Sequence, residues 1–149
     1  MGNGIEVIAR GLWVSGDCIL LCRNVAKGYF YLPGGHVEAG ETAQQALARE
    51  IAEETGRQPR IGRGLAAAEC LFDQAGKRRH EINLVFLVEQ QGPTPEVPSL
   101  EPEIAFEWVE LSQITDIDLR PAVIRDWIVE SQRRGHAGSH PAIAWLSDA

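Results

Sequence analysis

The chain has 149 residues, of which 44% are hydrophobic and 23% charged, and its formal net charge is −7 at pH 7. This length is enough for one domain to bury a core without disulfides or a structural metal. The acidic balance argues against broad electrostatic binding to nucleic acid or to an anionic membrane, because either partner needs a basic surface.

The first half of the chain predicts three strands followed by a helix. Two β-type runs, LWV and CILLC, flank the turn-forming triplet SGD and predict a hairpin. A third, aromatic run, GYFYL, ends at Pro33. Thr42 with Gln45 three residues later matches a capping box, and Gly56 stands where a C-terminal cap belongs, so we expect a helix between them.

The second half predicts another hairpin, a further strand and a late helix. GLAAAECLF and HEINLVFLVE are typical of strands, and the polar segment DQAGKRRH is interpreted as the link between them. Residues 90–103 carry four prolines and predict a surface loop, which the alternating run IAFEWVEL follows as a strand. Residues 120–133, with Pro121 near the start, predict an amphipathic helix. The order lacks a strict βαβ rhythm, so an α/β sandwich fits better than a doubly wound parallel sheet.

We expect a single domain over residues 1–149, with a core at about 5–133 and a C-terminal tail at 134–149 that includes His136 and His140. No basic-then-apolar leader opens the sequence and no apolar run approaches membrane-spanning length, so we expect a cytoplasmic protein without a membrane partner. The cysteines show no CxxC spacing, and we interpret them as small buried hydrophobic residues in a reducing compartment. They are Cys18, Cys22 and Cys70.

Five glutamates lie within residues 35–57, and three of them, Glu50, Glu53 and Glu54, share about a third of the predicted helix circumference. Carboxylates placed this close raise one another's pKa unless another charge offsets the repulsion. A cluster of oxygen ligands without His or Cys suits a hard cation such as Mg²⁺ or Mn²⁺. The alternative interpretation is a solvated acidic helix face with no further role.

The segment GHVEAGETAQQALAREIAEETG resembles the Nudix box, the signature of the Nudix hydrolases. That signature is a glycine, five residues, a glutamate, seven residues and then REUxEExGU, where U is a bulky aliphatic residue. The matching residues are Gly35, Glu41, Arg49, Glu50, Ile51, Glu53, Glu54 and Gly56. Arg57 departs from the pattern at the last U, a position that is structural in the family. Beyond the box the resemblance is one of layout, over about residues 5–133.

The resemblance implies a Nudix-type α/β/α sandwich with a mixed central sheet. It also implies a metal-dependent hydrolase that cleaves the diphosphate linkage of a nucleoside diphosphate joined to another moiety. Mg²⁺ or Mn²⁺ would stand between the acidic residues and the phosphates. By resemblance, Glu50, Glu53, Glu54 and the Gly34 carbonyl are metal ligands, and Glu53, Glu50 and Arg49 are catalytic.

The general base stays open at this level. Glu50 and Glu53 within the box compete with a carboxylate from the downstream loop, Glu101 or Glu103. Geometry decides such an assignment, and a sequence does not supply it.

Four residues are candidates for substrate binding: Arg23, Tyr31, His36 and Glu81. Each also has an ordinary structural interpretation, as an edge charge, a core aromatic, a loop histidine or a strand-start acid. The basic residues 77–79 of the predicted link would either hold phosphates or solubilise a turn.

The substrate is expected to be a small nucleotide, and several alternatives remain. The sequence after the box lacks the proline and tyrosine markers of ADP-ribose and dinucleoside polyphosphate enzymes, which favours a nucleoside triphosphate. A catalytically silent, nucleotide-sensing Nudix-like domain is the main rival, and an isopentenyl diphosphate isomerase type or a DNA-repair accessory domain is disfavoured. A homodimer is possible, with Trp127, Trp145 or the proline-rich loop as candidate interface.

Overall fold

A computed structural model describes residues 4–89, 96–135 and 143–148. The described residues form eight strands, two α-helices and a 3-10 helix. The strands are β1 (Glu6–Ser15), β2 (Cys18–Asn24), β3 (Phe30–Tyr31), β4 (Gly34–His36), β5 (Arg60–Gln74), β6 (Lys77–Glu89), β7 (Ile104–Glu110) and β8 (Ala144–Ser147). The helices are α1 (Ala43–Thr55) and α2 (Ala122–Arg133), and the 3-10 helix covers Leu111–Asp116.

All eight strands belong to one mixed sheet. Its main path runs β3-β2-β1-β6-β5-β8, while β4 pairs with β1 and β7 pairs with β2. The β1–β6 and β5–β8 pairs are parallel and the other pairs are antiparallel. The predicted hairpins β1–β2 and β5–β6 are both present.

The two α-helices cover opposite faces of this sheet. Successive residues of a strand point to opposite faces, so each strand contributes to two cores. On β2, Leu20 packs in a cluster with Leu47 and Ile51 of α1. Its neighbours Ile19 and Leu21 belong to the cluster that contains α2. The predicted α/β/α sandwich with a mixed central sheet is therefore confirmed.

Helix α1 begins and ends as its sequence predicts. The Thr42 hydroxyl accepts a hydrogen bond from the Gln45 backbone N–H at 3.1 Å, and the Gln45 side chain accepts from the Thr42 N–H at 2.8 Å. Gly56 ends the helix with a φ of 75°, in the left-handed region where glycine has no steric cost. These two caps fix which residues of α1 face the sheet.

The predicted length of the polar link between β5 and β6 is wrong, although the hairpin itself is present. Both strands continue through it, and only the turn at Ala75 and Gly76, both with positive φ, separates them. A two-residue turn of this kind matches the twist of the paired strands and needs no longer connection. The basic residues Lys77, Arg78 and Arg79 therefore lie on β6.

The C-terminal segment differs from the predicted tail, because Ala144–Ser147 forms β8 at the edge of the sheet. This strand pairs in parallel with β5, and its Ala144 and Leu146 pack against the core. His136 and His140 lie outside the described residues. The assignment of the whole chain to one domain stays a prediction.

The cysteines agree with their interpretation as buried thiols. All three are free in the structure as described, with Cys22 and Cys70 buried and Cys18 partly buried.

We predict that Thr42→Ala lowers the free energy of unfolding by about 1 kcal/mol, because the first turn of α1 loses its capping hydroxyl. Urea unfolding followed by circular dichroism measures this loss. Ser112→Ala, an exposed serine of the 3-10 helix, is the control and should change stability by less than about 0.5 kcal/mol. Equal effects of the two substitutions would contradict the capping role.

Candidate active site

Arg49 organises the carboxylates of the acidic helix. Its Nε and Nη2 donate to the two oxygens of Glu41 at 3.1 and 2.7 Å. Its Nη1 donates to Glu50 at 3.1 Å and approaches Glu53 at 3.4 Å. Nη2 also donates to the backbone carbonyl of His36 at 3.1 Å. These charge-assisted bonds raise the pKa of Arg49 and tie the loop before α1 to the acidic face of the helix.

Glu41 precedes α1 in the chain, and the loop that carries it folds back so that its carboxylate contacts Arg49 of the helix. Its Oε1 accepts the Glu38 backbone N–H at 2.9 Å in addition to the Arg49 fork. The Arg49 hydrogen bond, followed by the Glu38 N–H, holds the pKa of Glu41 below its usual value. Glu41 is therefore a fixed anion that orients Arg49.

Glu54 is the buried member of the acidic cluster. Only 6% of the residue is exposed. Its Oε2 is buried without a hydrogen-bond partner among the described residues. Burial, followed by the charges of Glu50 and Glu101, raises the pKa of Glu54 to about 8, and Arg10 opposes this shift. Such an oxygen carries a free-energy cost unless a proton or a cation satisfies it.

A fifth carboxylate, Glu101, comes from the loop after β6. The Leu100 backbone N–H donates to the Glu54 carbonyl at 2.7 Å, which fixes this loop against the end of α1. Burial, followed by the charge of Glu103 and then that of Glu50, raises the pKa of the adjacent Glu101. Glu101 is therefore held beside the acids of α1.

The glycines of β4 pack directly against these acids. Gly34 has a φ of 141°, and a Cβ added there would lie 1.9 Å from the Ala9 carbonyl oxygen. A Cβ at Gly35 would lie 2.4 Å from Cδ of Glu50. Glycine is therefore a steric requirement at Gly34, where the clash is with backbone, whereas a larger residue at Gly35 would displace the Glu50 side chain.

The donor set fits a hard divalent cation. In the described parts of the chain, no three His, Cys, Asp or Glu side chains stand together as a ready metal-binding group. Glu50 and Glu54 are nevertheless one turn apart, and Glu54 offers a buried carboxylate oxygen with no partner in that same portion. Carboxylate and carbonyl oxygens are the ligands that Mg²⁺ and Mn²⁺ prefer.

A cavity of about 520 Å³ opens beside Arg10, and none of the acids of α1 lines it. Tyr29 and Tyr31 contribute two aromatic rings whose centroids are 5.9 Å apart. The Arg120 guanidinium stands 4.4 Å above the Tyr29 ring, and the Arg10 guanidinium stands 5.6 Å from the Tyr31 centroid. Glu81 adds a carboxylate to the wall. This volume lies within the range of small-molecule sites, about 300–1,000 Å³.

Arg10 connects the cavity with the acidic cluster. Arg10 lines the cavity, and its positive charge opposes the rise in the pKa of Glu54. Its Nη1 donates to the Leu32 carbonyl at 3.1 Å and its Nε to the buried Asn83 at 3.3 Å. Sequence reasoning missed Arg10 and Arg120. The available signal for Arg10 was a cation in the middle of the apolar strand VIARGLWV.

Two of the four predicted substrate-binding residues line the cavity and two do not. Tyr31 and Glu81 come together in the cavity wall. Arg23 instead donates to Glu107 of β7 at 2.7 Å, and His36 lies on β4, outside the cavity lining. The substrate-binding roles of all four residues stay predictions.

Comparison with known proteins places these features in a family. The family model for the NUDIX domain matches residues 6–128. The chain belongs to the Nudix hydrolase family. The matched residues include β1, the glycine strand, all of α1 and most of α2.

Two curated relatives and one solved structure show the range of this similarity. The chain is 31% identical to "Putative 8-oxo-dGTP diphosphatase 2" of Mycobacterium tuberculosis over 132 residues, which are 86% of this chain and 89% of the relative. It is 44% identical to the ADP-ribose pyrophosphatase of Methanocaldococcus jannaschii over 89 residues, 58% of this chain but only 52% of that protein. The crystal structure of a MutT protein from Methanosarcina mazei matches with 28% identity and a TM-score of 0.66, covering 88% and 94% of the two chains.

The one departure from the Nudix box, Arg57, is accommodated in part, because its buried Nε has no hydrogen-bond partner among the described residues. The Arg57 backbone N–H donates to the Thr55 hydroxyl at 3.1 Å, and its Nη2 donates to the Glu96 carbonyl at 2.5 Å. Arg57 therefore fixes the loop at Glu96 instead of filling an aliphatic pocket.

We predict that Glu54→Gln stabilises this Nudix protein at pH 8.5 in the presence of a chelator, by about 1–3 kcal/mol. The folded-state pKa of Glu54, about 8, lies above its ordinary value of 4.5. Folding therefore favours the protonated form, and stability is lost as the pH rises from about 4.5 to 8. Glutamine cannot ionise and escapes this loss.

Thermal unfolding of wild type and variant at pH 4 and pH 8.5 measures the effect. Glu53→Gln, whose side chain is 55% exposed in wild type, is the matched control and should show little pH-dependent gain. A stability difference between Glu54→Gln and wild type that is the same at both pH values would contradict the buried-carboxylate explanation.

Proposed function

We propose that this protein is a divalent-metal-dependent pyrophosphohydrolase that cleaves the diphosphate linkage of a nucleoside triphosphate. The observation that supports it most is the buried carboxylate oxygen of Glu54 that has no hydrogen-bond partner among the described residues, together with Arg10, whose charge acts on Glu54 and whose side chain lines a cavity of nucleotide size. A nucleotide in this cavity would direct its phosphates towards Arg10 and the acids of α1.

Glu50, Glu53, Glu54 and the Gly34 carbonyl are the groups that would hold Mg²⁺ or Mn²⁺. When bound, the metal supplies positive charge that offsets the phosphates and acidifies the attacking water. Arg49 keeps Glu50 and Glu53 in place through its hydrogen bonds. The packing of α1 on the sheet holds Glu54 in the interior.

Glu101 is the carboxylate that we propose as general base. A carboxylate whose pKa is raised towards neutrality accepts a proton more effectively at physiological pH. Glu101 has such a raised pKa, and the adjacent Leu100 N–H holds its loop against α1. Glu50 and Glu53 remain alternatives, but Arg49 already donates to both.

The cavity supports recognition of the nucleoside. Tyr29 and Tyr31 offer faces on which a base can stack, and Arg120 and Glu81 offer a donor and an acceptor at its edge. The mycobacterial relative, whose name denotes a diphosphatase of a nucleoside triphosphate, matches over most of both chains. The archaeal ADP-ribose pyrophosphatase matches over a smaller share. This difference favours the triphosphate.

Location and partners are inferred from chemistry alone. No helix in the described ranges has the length and apolar character to span a bilayer. A cytoplasmic location, the absence of a nucleic-acid partner and a possible homodimer stay predictions.

We predict that Glu50→Gln and Glu54→Gln each reduce Mg²⁺-dependent turnover of the best substrate by about 100-fold or more, because each removes a metal-holding charge. Phosphate and pyrophosphate release is measured across a panel of nucleoside triphosphates, dinucleotides and ADP-ribose. Glu89→Gln, an exposed glutamate that pairs with Arg60, is the control. Near-normal turnover by Glu54→Gln would refute its role, and tight nucleotide binding without turnover by wild type would favour the nucleotide-sensing alternative.

We predict that Tyr31→Ala and Arg120→Ala raise KM by about 5- to 100-fold, the effect of losing 1–3 kcal/mol of base contact. Steady-state kinetics at saturating Mg²⁺ separates this from a loss of kcat. Tyr31→Phe keeps the ring and should retain most affinity, and Arg133→Ala at the far end of α2 is a charge control. A fall in kcat with unchanged KM would argue against a nucleoside site here.

A further inference from the structure

We propose that Glu6 and Arg79 are positioning residues for the active site, because they anchor the glycine strand β4 through His36. This inference rests on the proposed function, since it concerns the same metal-holding groups. It adds two residues that lie outside the Nudix box, on β1 and β6.

The anchor is a chain of close polar contacts. Arg79 donates two hydrogen bonds to Glu6, from Nε to Oε2 at 2.9 Å and from Nη2 to Oε1 at 2.7 Å. The same Oε1 lies 2.9 Å from Nε2 of His36. The Arg79 hydrogen bond, followed by the His36 contact, holds the pKa of Glu6 below its usual value. Glu6 is therefore an anion shared between β6 and β4.

Strand β4 needs such an anchor because of its sequence. It consists of Gly34–His36, and His36 alone among its residues carries a side chain. Glycine loses more conformational freedom on ordering than any other residue. Backbone bonds hold β4 to β1, with Ile8 opposite His36 and the Val37 N–H donating to Val7 at 2.9 Å. The Glu6–His36 contact is a side-chain restraint at the end of this strand, made by a His36 side chain that is 59% exposed.

A shift of β4 would reach the proposed metal-holding groups directly. The strand carries the Gly34 carbonyl, a proposed ligand, and its Gly35 packs against Glu50. The His36 carbonyl accepts the Arg49 Nη2 at 3.1 Å. Each of these groups moves if the end of β4 moves.

The contacts of Arg79 are those of a structural cation and not of a phosphate ligand. Its guanidinium is occupied by Glu6 and also donates to Gln74 at 3.3 Å. The Arg79 and Glu6 side chains are 30% and 27% exposed, so solvent screens this pair less than a surface pair. A forked arginine–carboxylate contact is also directional, which is the property that a positioning role needs.

The test compares Glu6→Ala and Arg79→Met with the matched control Arg78→Met. Arg78 is the next residue of β6 and pairs with Asp73 at 3.5 Å on the far side of the hairpin turn. Arg79→Lys keeps the charge and one donor and should recover part of the loss. The double variant Glu6→Ala/Arg79→Met should be no worse than the more affected single variant, because both act through one contact.

Mn²⁺ binding without nucleotide, measured by titration calorimetry, is the first readout. The anchor predicts a Kd raised about 10-fold in Glu6→Ala and Arg79→Met, the lower end of the range for residues that support metal ligands. At saturating metal, kcat should fall while KM stays within about twofold. Thermal unfolding of each variant gives its unfolded fraction, for which Kd and kcat are corrected.

The inference is overturned if the two variants bind Mn²⁺ and turn over substrate like Arg78→Met. It is also overturned if the unfolded fraction of each variant fully accounts for its loss of Mn²⁺ binding and of kcat. If the wild-type protein binds Mn²⁺ but hydrolyses no nucleotide, the proposed function is wrong. The Mn²⁺ titration of the variants would still show whether Glu6 and Arg79 position the metal-holding groups.

Discussion

Repulsion among carboxylates is the constraint on which the site depends. Helix α1 and its flanking loops gather Glu41, Glu50, Glu53 and Glu54 into a small space. Arg49 offsets the first three by donating to each of them. Glu54 has no such donor among the described residues, and its charge is opposed by burial and by Glu50. One guanidinium does not neutralise four carboxylates, and Glu54 is the member that is left without a donor, to be matched by a proton or a cation.

Helical geometry explains why Glu54 in particular is buried. Leu47, Ile51 and Glu54 are spaced by four and three residues, so they share one face of α1. Leu47 and Ile51 are fully buried in the core on that side of the sheet. Burying an aliphatic side chain of this size contributes about 1.5–3 kcal/mol. The packing that fixes α1 therefore also forces the carboxylate inward and offsets the cost of its burial.

Local sequence predicted the parts of the structure that depend on neighbouring residues. The capping box and the glycine cap both involve residues within four positions of each other. The polar run at 77–79 was misread because its charges are typical of a loop, although the two-residue turn at Ala75 allows the strands to continue. The parallel β1–β6 register has no local signature, so Arg79–Glu6 and Arg10–Asn83, each 73 residues apart, were not foreseen.

The residues proposed for the chemistry are close together in the sequence, whereas the residues proposed for substrate recognition are far apart. The acids that would hold metal come from one continuous segment, so the Nudix box identifies the family. The cavity walls come from six separate places in the chain, among them those of Arg10, Tyr31, Glu81 and Arg120. Relatives that carry names as different as ADP-ribose pyrophosphatase and 8-oxo-dGTP diphosphatase are compatible with this arrangement, because the walls vary without disturbing the acids. On the function proposed for this chain, the cavity and not the box selects the substrate.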